Sequence, residues 1–339
     1  MDDLHIGTQS VRFDAPPSIL SFAAIGGKKE QEGPLASYFD FLSSDTTFGQ
    51  KSWEKAESEL QKRALDTALR KLDAKYRDLD ALFAGDLLNQ CIGSAFAMRE
   101  TGIPFLGLYG ACSTMAESLL LASAAVNAGY AHRAAALTSS HFASAERQYR
   151  FPLGYGGQRT PTAQWTATAA GCCVVGRGSR GPYVMGATVG RIVDLGIKDA
   201  NNMGAAMAPA AFETLRAHFD DFHCAPEEYD LIVTGDLGKL GSELVRELFS
   251  REGVRLGSRY QDCGVLIFDA EAQDVHCGGS GCGCSASVLC GDLLGRMRQG
   301  KLRKLLFCGT GALLSPLSTQ QGESIPAVCH AVSISAERS

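Results

Sequence analysis

Leu79-Asp80-Ala81-Leu82-Phe83-Ala84-Gly85-Asp86-Leu87 recurs further along the chain as Tyr229-Asp230-Leu231-Ile232-Val233-Thr234-Gly235-Asp236-Leu237, an aspartate and an apolar run closed each time by Gly-Asp-Leu. Consecutive rather than alternating apolar residues read as a strand buried on both faces, followed by a loop. The likeness continues outward. Downstream of the first copy stand Ala111-Cys112-Ser113, an apolar stretch from Met115 to Tyr130, His132-Arg133 and the run Ala134 to Leu137. The second copy has Gly281-Cys282-Gly283, Ser285 to Gly300, Leu302-Arg303 and Leu305-Leu306-Phe307-Cys308. Laid without gaps, Cys112 falls on Cys282 and Arg133 on Arg303. Two similar halves are predicted, residues 1–181 and 182–339, split near Gly181. Within each, the order strand, helix, strand, helix, strand calls for mainly parallel strands joined by crossover helices, an α/β class.

Two helices fill in the layers. From Lys51 to Leu72, Trp53, Leu60, Ala64, Ala68 and Leu72 recur at helical spacing with Glu54, Lys62 and Lys71 opposite, as on a surface helix covering a sheet. From Glu117 to Tyr130 the chain is apolar nearly all round, as a helix buried between two layers must be.

Composition excludes several classes. With 339 residues, 45% apolar and 20% charged, the chain is globular, and a net charge of -5 leaves no positive excess for a phosphate backbone, so no nucleic-acid partner is expected. Apolar stretches such as Leu119 to Ala122 are far short of the ~20 residues of a bilayer span. The start, Met1-Asp2-Asp3-Leu4, lacks the basic region of a secretory signal, and a cytosolic beginning is expected. Twelve cysteines spread over so long a chain read as reduced, buried thiols. Cys277, Cys282, Cys284 and Cys290 lack paired C-x2-C knuckles, so neither a metal nor a cofactor is expected.

Chemistry points to Gly107-Leu108-Tyr109-Gly110-Ala111-Cys112-Ser113-Thr114, a strand entering a small-residue turn that opens into the buried helix. A thiol at a helix N-terminus has its pKa depressed, and an anionic ligand group can lie beside it; a small cysteine packed in a tight turn gives the same pattern, and spacing leaves both readings open. Asp86, Asn89 and Gln90 occupy the loop after the first strand, at the ligand-bearing edge of an α/β sheet, where they equally serve to stabilise the loop. Asn201 and Asn202 precede a helix beginning near Met203, and N-capping accounts for at least one of them.

The duplicated halves, the Gly110-Ala111-Cys112-Ser113-Thr114 turn and the late string Leu305-Leu306-Phe307-Cys308-Gly309-Thr310-Gly311-Ala312 resemble the thiolase superfamily, especially its ketoacyl-synthase III branch, over most of the chain. Four longer strings, Thr138 to His141, Gln158 to Trp165, Asp199 to Pro209 and Gly279 to Ser287, resemble a family of thiolase-like sporulation proteins. The resemblance implies a layered α-β-α-β-α fold with central buried helices, and a homodimer. In condensing enzymes of the superfamily a nucleophilic cysteine works with a His and an Asn, or two His, from the second half. Cys112 matches the nucleophile, but Gly235 stands at the position of the His and Cys282 at that of the Asn. A lone thiol lacks both base and oxyanion donors, so Cys112 is expected to be a vestigial nucleophile. The alternative is a residual acyltransferase using Cys112, with Asp236 replacing the base; a third reading is a scaffold that only assembles with membrane partners.

The sporulation resemblance implies a protein binding dipicolinic acid, pyridine-2,6-dicarboxylate, or its calcium chelate for uptake into the developing spore. It also implies a cytoplasmic chain held peripherally at the forespore or spore inner membrane by other sporulation proteins. A planar dianion needs converging donors, for which the turn at Cys112 with His141, Arg159, Gln164 and Asn202 are the candidates. These residues are expected to line one cleft, joined by the loop of Asp86, Asn89 and Gln90 and by the insertion from Ser144 to Thr168. Plainer roles compete: a solvated charge for Arg159, a satisfied core histidine for His141, a turn cap for Gln164.

Overall fold

Five apolar runs of the first half become strands β1 (Ser18–Gly26), β2 (Ala81–Gly85), β3 (Phe105–Leu108), β4 (Arg133–Ser140) and β5 (Ala169–Gly176). Five of the second half take the corresponding places as β6 (Tyr183–Thr188), β7 (Leu231–Thr234), β8 (Tyr260–Asp262), β9 (Lys304–Ala312) and β10 (Ala327–Ser335). This is a computed structural model, and it describes residues 4–149 and 159–338. The strand order is β8-β7-β9-β10-β6-β1-β5-β4-β2-β3, which reads alike from either end. Only one residue pair, Tyr183 with Ser18, joins β6 to β1, so the strands form two five-stranded sheets meeting at a seam. In each, the strand carrying the repeated motif is parallel to both neighbours, whereas β5 and β10 are antiparallel to theirs. The sheets are therefore mixed, not mainly parallel, because each half closes with a strand that folds back along the one before it.

Helices cover and separate the sheets. Ser52 caps α1 (Trp53–Lys71), its hydroxyl accepting from Lys55 N–H. Next come α2 (Thr114–Asn127), α3 (Met203–Phe222) and α4 (Gly238–Arg251). The last, α5, runs from Cys282 to Val288, through one π turn at Leu289–Leu293, and on from Leu294 to Arg298. Met115 and Leu119 of α2 and Leu289 and Leu293 of α5 are buried in one cluster with Phe83 and Val175 from the first sheet and Phe307 and Val332 from the second. Leu60 and Leu65 of α1 pack on the outside of the first sheet, Met207 and Phe249 of α3 and α4 on the outside of the second. The layers are α-β-α-β-α. Glycines let the central helices approach: a Cβ at Gly283 would stand 2.2 Å from the Ala169 carbonyl oxygen, and one at Gly311 would stand 2.6 Å from that of Gly110.

The repeat itself shifts once. Asp80 accepts from the backbone N–H groups of His132 and Arg133, and Asp230 from those of Arg303 and Lys304. Arg133 therefore matches Lys304, one place from the ungapped match to Arg303. The glycines after the two central helices, Gly129 (φ 74°) and Gly300 (φ 70°), are likewise one residue further apart than Cys112 and Cys282. A π turn is an α-helix with one residue inserted, and the π turn in α5 absorbs the difference.

Candidate functional site

Cys112 sits in a single 3-10 turn, Ala111–Ser113, that leads into α2 from a left-handed Ala111 (φ 51°). Its thiol is buried and shares a hydrogen bond with Asp236, from the loop after β7. Burial first, and then the Asp236 charge, push the Cys112 pKa well above the usual thiol value. This reverses the depression expected from the helix terminus: desolvation and a neighbouring carboxylate outweigh the turn's N–H groups. Asp236 is itself fully engaged, accepting from Ser280 Oγ (3.1 Å), Gly281 N–H (2.8 Å) and Thr310 Oγ1 (2.9 Å). Burial raises its pKa as well. Cys282 donates its thiol to the Ser139 carbonyl at 2.9 Å, and a Cβ at Gly235 would lie 3.0 Å from Thr310 N, leaving little room for a longer side chain.

Beside Cys112 lies a cavity of about 50 Å³. Leu87, Ala200, Met203, Ala312 and Leu314 form its apolar wall; Cys112, Glu146, Thr166 and Ser280 supply its polar atoms, and no Lys, Arg or His among the described residues lines it. Glu146 accepts from Thr166 Oγ1 at 2.8 Å. Two more buried carboxyls stand at the edge of the first sheet. Asp86 accepts from Leu88 N–H (2.9 Å), Ser94 N–H (2.6 Å) and Ser94 Oγ (2.5 Å). Glu57 of α1 accepts from Ser139 Oγ (3.2 Å) and Ser144 Oγ (2.6 Å). Burial raises the pKa of both, and for Glu57 the Asp86 charge adds to it. Glu57 is the residue that sequence reasoning missed. It stands on the apolar stripe of α1, four residues after Trp53 and three before Leu60, so α1 carries a buried acid rather than forming a plain outer cover.

The remaining predicted residues do not converge on that cavity. His141 is buried, its Nε2 2.8 Å from the Thr46 carbonyl and its Nδ1 accepting from Ala143 N–H at 3.2 Å; burial lowers its pKa. It lines a separate cleft of about 490 Å³ with Lys28, Lys29, Trp53 and Trp165. Arg159 lies 4.9 Å from the Trp165 ring centre, Lys29 Nζ 4.2 Å from it, and Arg159 pairs with Asp274 at 3.5 Å. Gln164 is a strut, its Nε2 donating to the carbonyls of Asp236 (2.7 Å) and Gly279 (2.8 Å). Asn89 Oδ1 accepts from the Tyr109 hydroxyl and Gln148 Nε2, and Gln90 is left-handed (φ 60°), so both shape the loop. The Asn202 side chain precedes α3 without capping it, and its buried Oδ1 has no partner among the described residues, beside the cavity-lining Met203. Asn201 N–H donates to Asp199 Oδ1 in the preceding turn. Of these residues Cys112 lines the small cavity and Asn202 adjoins its lining residue Met203, while His141 lines the other cleft and Arg159 stacks on that cleft's Trp165. Gln158 and much of the insertion lie outside the described residues. Among the described residues, no three His, Cys, Asp or Glu side chains gather to hold a metal, and no helix is long and apolar enough to cross a membrane.

A family model described as stage V sporulation protein AD matches residues 7–335. Stage V sporulation protein AD of Bacillus subtilis (strain 168) is 44% identical over 326 residues, which cover 96% of this chain and 96% of that protein. Among solved structures, 3-oxoacyl-[acyl-carrier-protein] synthase III from Aquifex aeolicus VF5 superimposes with a TM-score of 0.58 at 13% identity, over 94% of this chain and 99% of its own. Xanthomonas campestris OleA with bound lauric acid and lauroyl-CoA does so with a TM-score of 0.61 at 12% identity, over 94% and 99%. At such identities the structural likeness establishes the thiolase-like fold and nothing further.

Proposed function

The chain belongs to the stage V sporulation protein AD family, and we propose that its Cys112 cavity binds dipicolinic acid as the calcium chelate, for uptake into the developing spore, and is not a condensing centre. The observation that carries this reading is the cavity lining, in which the Glu146 carboxyl and the Thr166 and Ser280 hydroxyls face an apolar wall. The Glu146 carboxyl, with Asp236 nearby, favours a ligand that carries its own cation over a free dianion. The chelate brings its own cation, and its flat pyridine ring suits Leu87, Met203 and Leu314. About 50 Å³ holds only part of such a ligand, so binding requires the wall to retreat. Ala200 and Met203 follow a segment, 189–199, that meets the sheet through the Val193–Ala327 bridge and the Gly190 N–H bond to His330, belongs to no helix or long strand, and exposes Ile192 and Leu195.

Loss of condensing activity follows from the same residues. A thiol whose pKa is raised supplies little thiolate, and an Asp236 that accepts three hydrogen bonds is poorly placed to act as its base. We further read 1–181 and 182–339 as the two units of a gene-duplicated chain, and the edge strand β3 as the site of a homodimer. Phe105, Leu106 and Tyr109 are 38%, 41% and 52% exposed there, and an apolar edge is completed by a second copy. Peripheral association with the forespore or spore inner membrane, through other stage V sporulation A-operon proteins, completes the proposal.

Calorimetric titration with dipicolinate, with and without calcium, tests it: the chelate binds and the free acid binds at least tenfold more weakly. Equal binding of both, or none of either, refutes the charge argument. Intact-mass measurement after incubation with acyl-CoA tests the alternative, since acylation of Cys112 with turnover to a condensed product would restore the enzyme reading.

A further inference from the structure

At the end of the sheets opposite Cys112, where β1 and β6 meet, lies an open cleft of about 900 Å³ lined by Arg180, Arg298 and Arg338 together with Tyr183. Strand β9 spans the distance between the two ends, about 30 Å at ~3.3 Å per residue. Two of the three guanidinium groups are held in place without a carboxylate. Arg298 donates from Nη2 to the carbonyls of Leu20 (2.6 Å) and Ile19 (3.2 Å) and lies 4.4 Å from the Phe22 ring centre. Arg338 donates from Nη2 to the Gly178 carbonyl (2.9 Å) and lies 4.8 Å from the Tyr183 ring centre. None of the three forms an ion pair with a carboxylate among the described residues, and Glu337 is the one acid in the lining. In a chain of net charge -5, three arginines and one glutamate around one hollow are a local reversal of sign.

We infer that this seam cleft is a binding site for a phosphate group, with Arg298 and Arg338 preorganised and Arg180 free to close on the ligand. Fixed guanidinium forks favour planar, bidentate recognition of phosphate oxygens, and little ordering of the side chains remains to be done on binding. The group can belong to a soluble phosphate or to a lipid headgroup, since the cleft is open enough for either. At its distance from Cys112 it acts independently of the dipicolinate reading.

The test uses the full chain in ~50 mM salt, with calorimetric titration of inorganic tripolyphosphate as one arm. The other is co-sedimentation with phosphatidylcholine vesicles with and without phosphatidylglycerol. Arg180→Glu and Arg338→Glu should each weaken whichever binding is seen about tenfold or more, with an unchanged thermal midpoint. Arg216→Glu, a charge-matched change at the Glu213 and Glu252 pairs, should not. Binding in the first arm alone assigns the group to a soluble phosphate, and in the second alone to a lipid. Binding in neither arm, or equal weakening by all three substitutions, overturns the inference.

Discussion

Replacing Asp262 by Asn should make this protein's stability respond differently to pH, in a direction set by the burial of one carboxyl. Asp262 is fully buried behind the Cys112 site. Its Oδ2 accepts from Thr234 Oγ1 (2.7 Å) and Leu237 N–H (2.9 Å), and its Oδ1 from Gly238 N–H (2.9 Å), so it fixes the loop that carries Asp236. Burial raises its pKa from 3.8 to about 7. The folded chain therefore keeps a proton there across a range in which the unfolded chain has lost it. The wild type holds this contribution fully below pH 3.8 and loses it as the pH rises toward 7. At ~1.36 kcal/mol per pH unit, that interval is worth about 4 kcal/mol. Asn is neutral at every pH and resembles the protonated acid, so Asp262→Asn carries no such slope. Urea unfolding followed by tryptophan fluorescence at pH 4, 6 and 8 is the assay. The variant's stability relative to the wild type should climb by about 4 kcal/mol between the extremes, whatever constant offset the lost acceptor introduces. Parallel profiles for the two proteins would refute the reasoning, for Asp262 would then ionise alike in both states.

Three further outcomes follow from the site. An ordinary thiol near pKa 8.5 is about a tenth ionised at pH 7.5, so Cys112 should react with iodoacetamide more than tenfold slower than free cysteine. Asp236→Asn should speed it; rapid labelling of the wild type would contradict the raised pKa. Glu146→Gln should narrow the preference for calcium dipicolinate over the free acid in calorimetry, while Arg159→Ala should leave both affinities unchanged, because Arg159 stacks on Trp165 of the His141 cleft and does not line the Cys112 cavity. An effect of the second without the first would move the ligand to that cleft. Leu106→Lys, on the exposed edge of β3, should shift sedimentation from dimer to monomer at micromolar concentration with little change in melting temperature. Dimers that persist would place the interface elsewhere.

Much of the fold was legible because duplication doubles each signal. The Gly-Asp-Leu loops, the two cysteine turns and the apolar helix after Cys112 all stand where the repeat puts them. The antiparallel members β5 and β10 were not legible. A strand buried on both faces has the same apolar run whichever way its neighbour points, and direction is set by the connection. In the site, Cys112 was found from its turn, but its protonation was not. The helix terminus is visible in the chain, whereas the packing of Asp236 against the thiol comes from a residue more than a hundred positions away. His141 and Arg159 were joined to Cys112 by the reasonable rule that loops at one sheet edge converge. That edge is wide enough to hold two hollows, and Trp165 with its two cations belongs to the second.

The π turn in α5 bears on how two similar halves can differ in length. An extra codon inside a packed helix ordinarily rotates everything beyond it by about 100°, turning core residues outward. Here the added residue swells one turn, and the remainder of α5 continues with Leu294 and Met297 still buried. Cys282 at one end and Gly300 at the other keep the stations of their counterparts around Cys112. One residue more is thus accommodated between two fixed points, and the two halves differ there in length without differing in shape. Removal of one residue from Leu289–Leu293 would give α5 the spacing of α2 and leave both ends where they are.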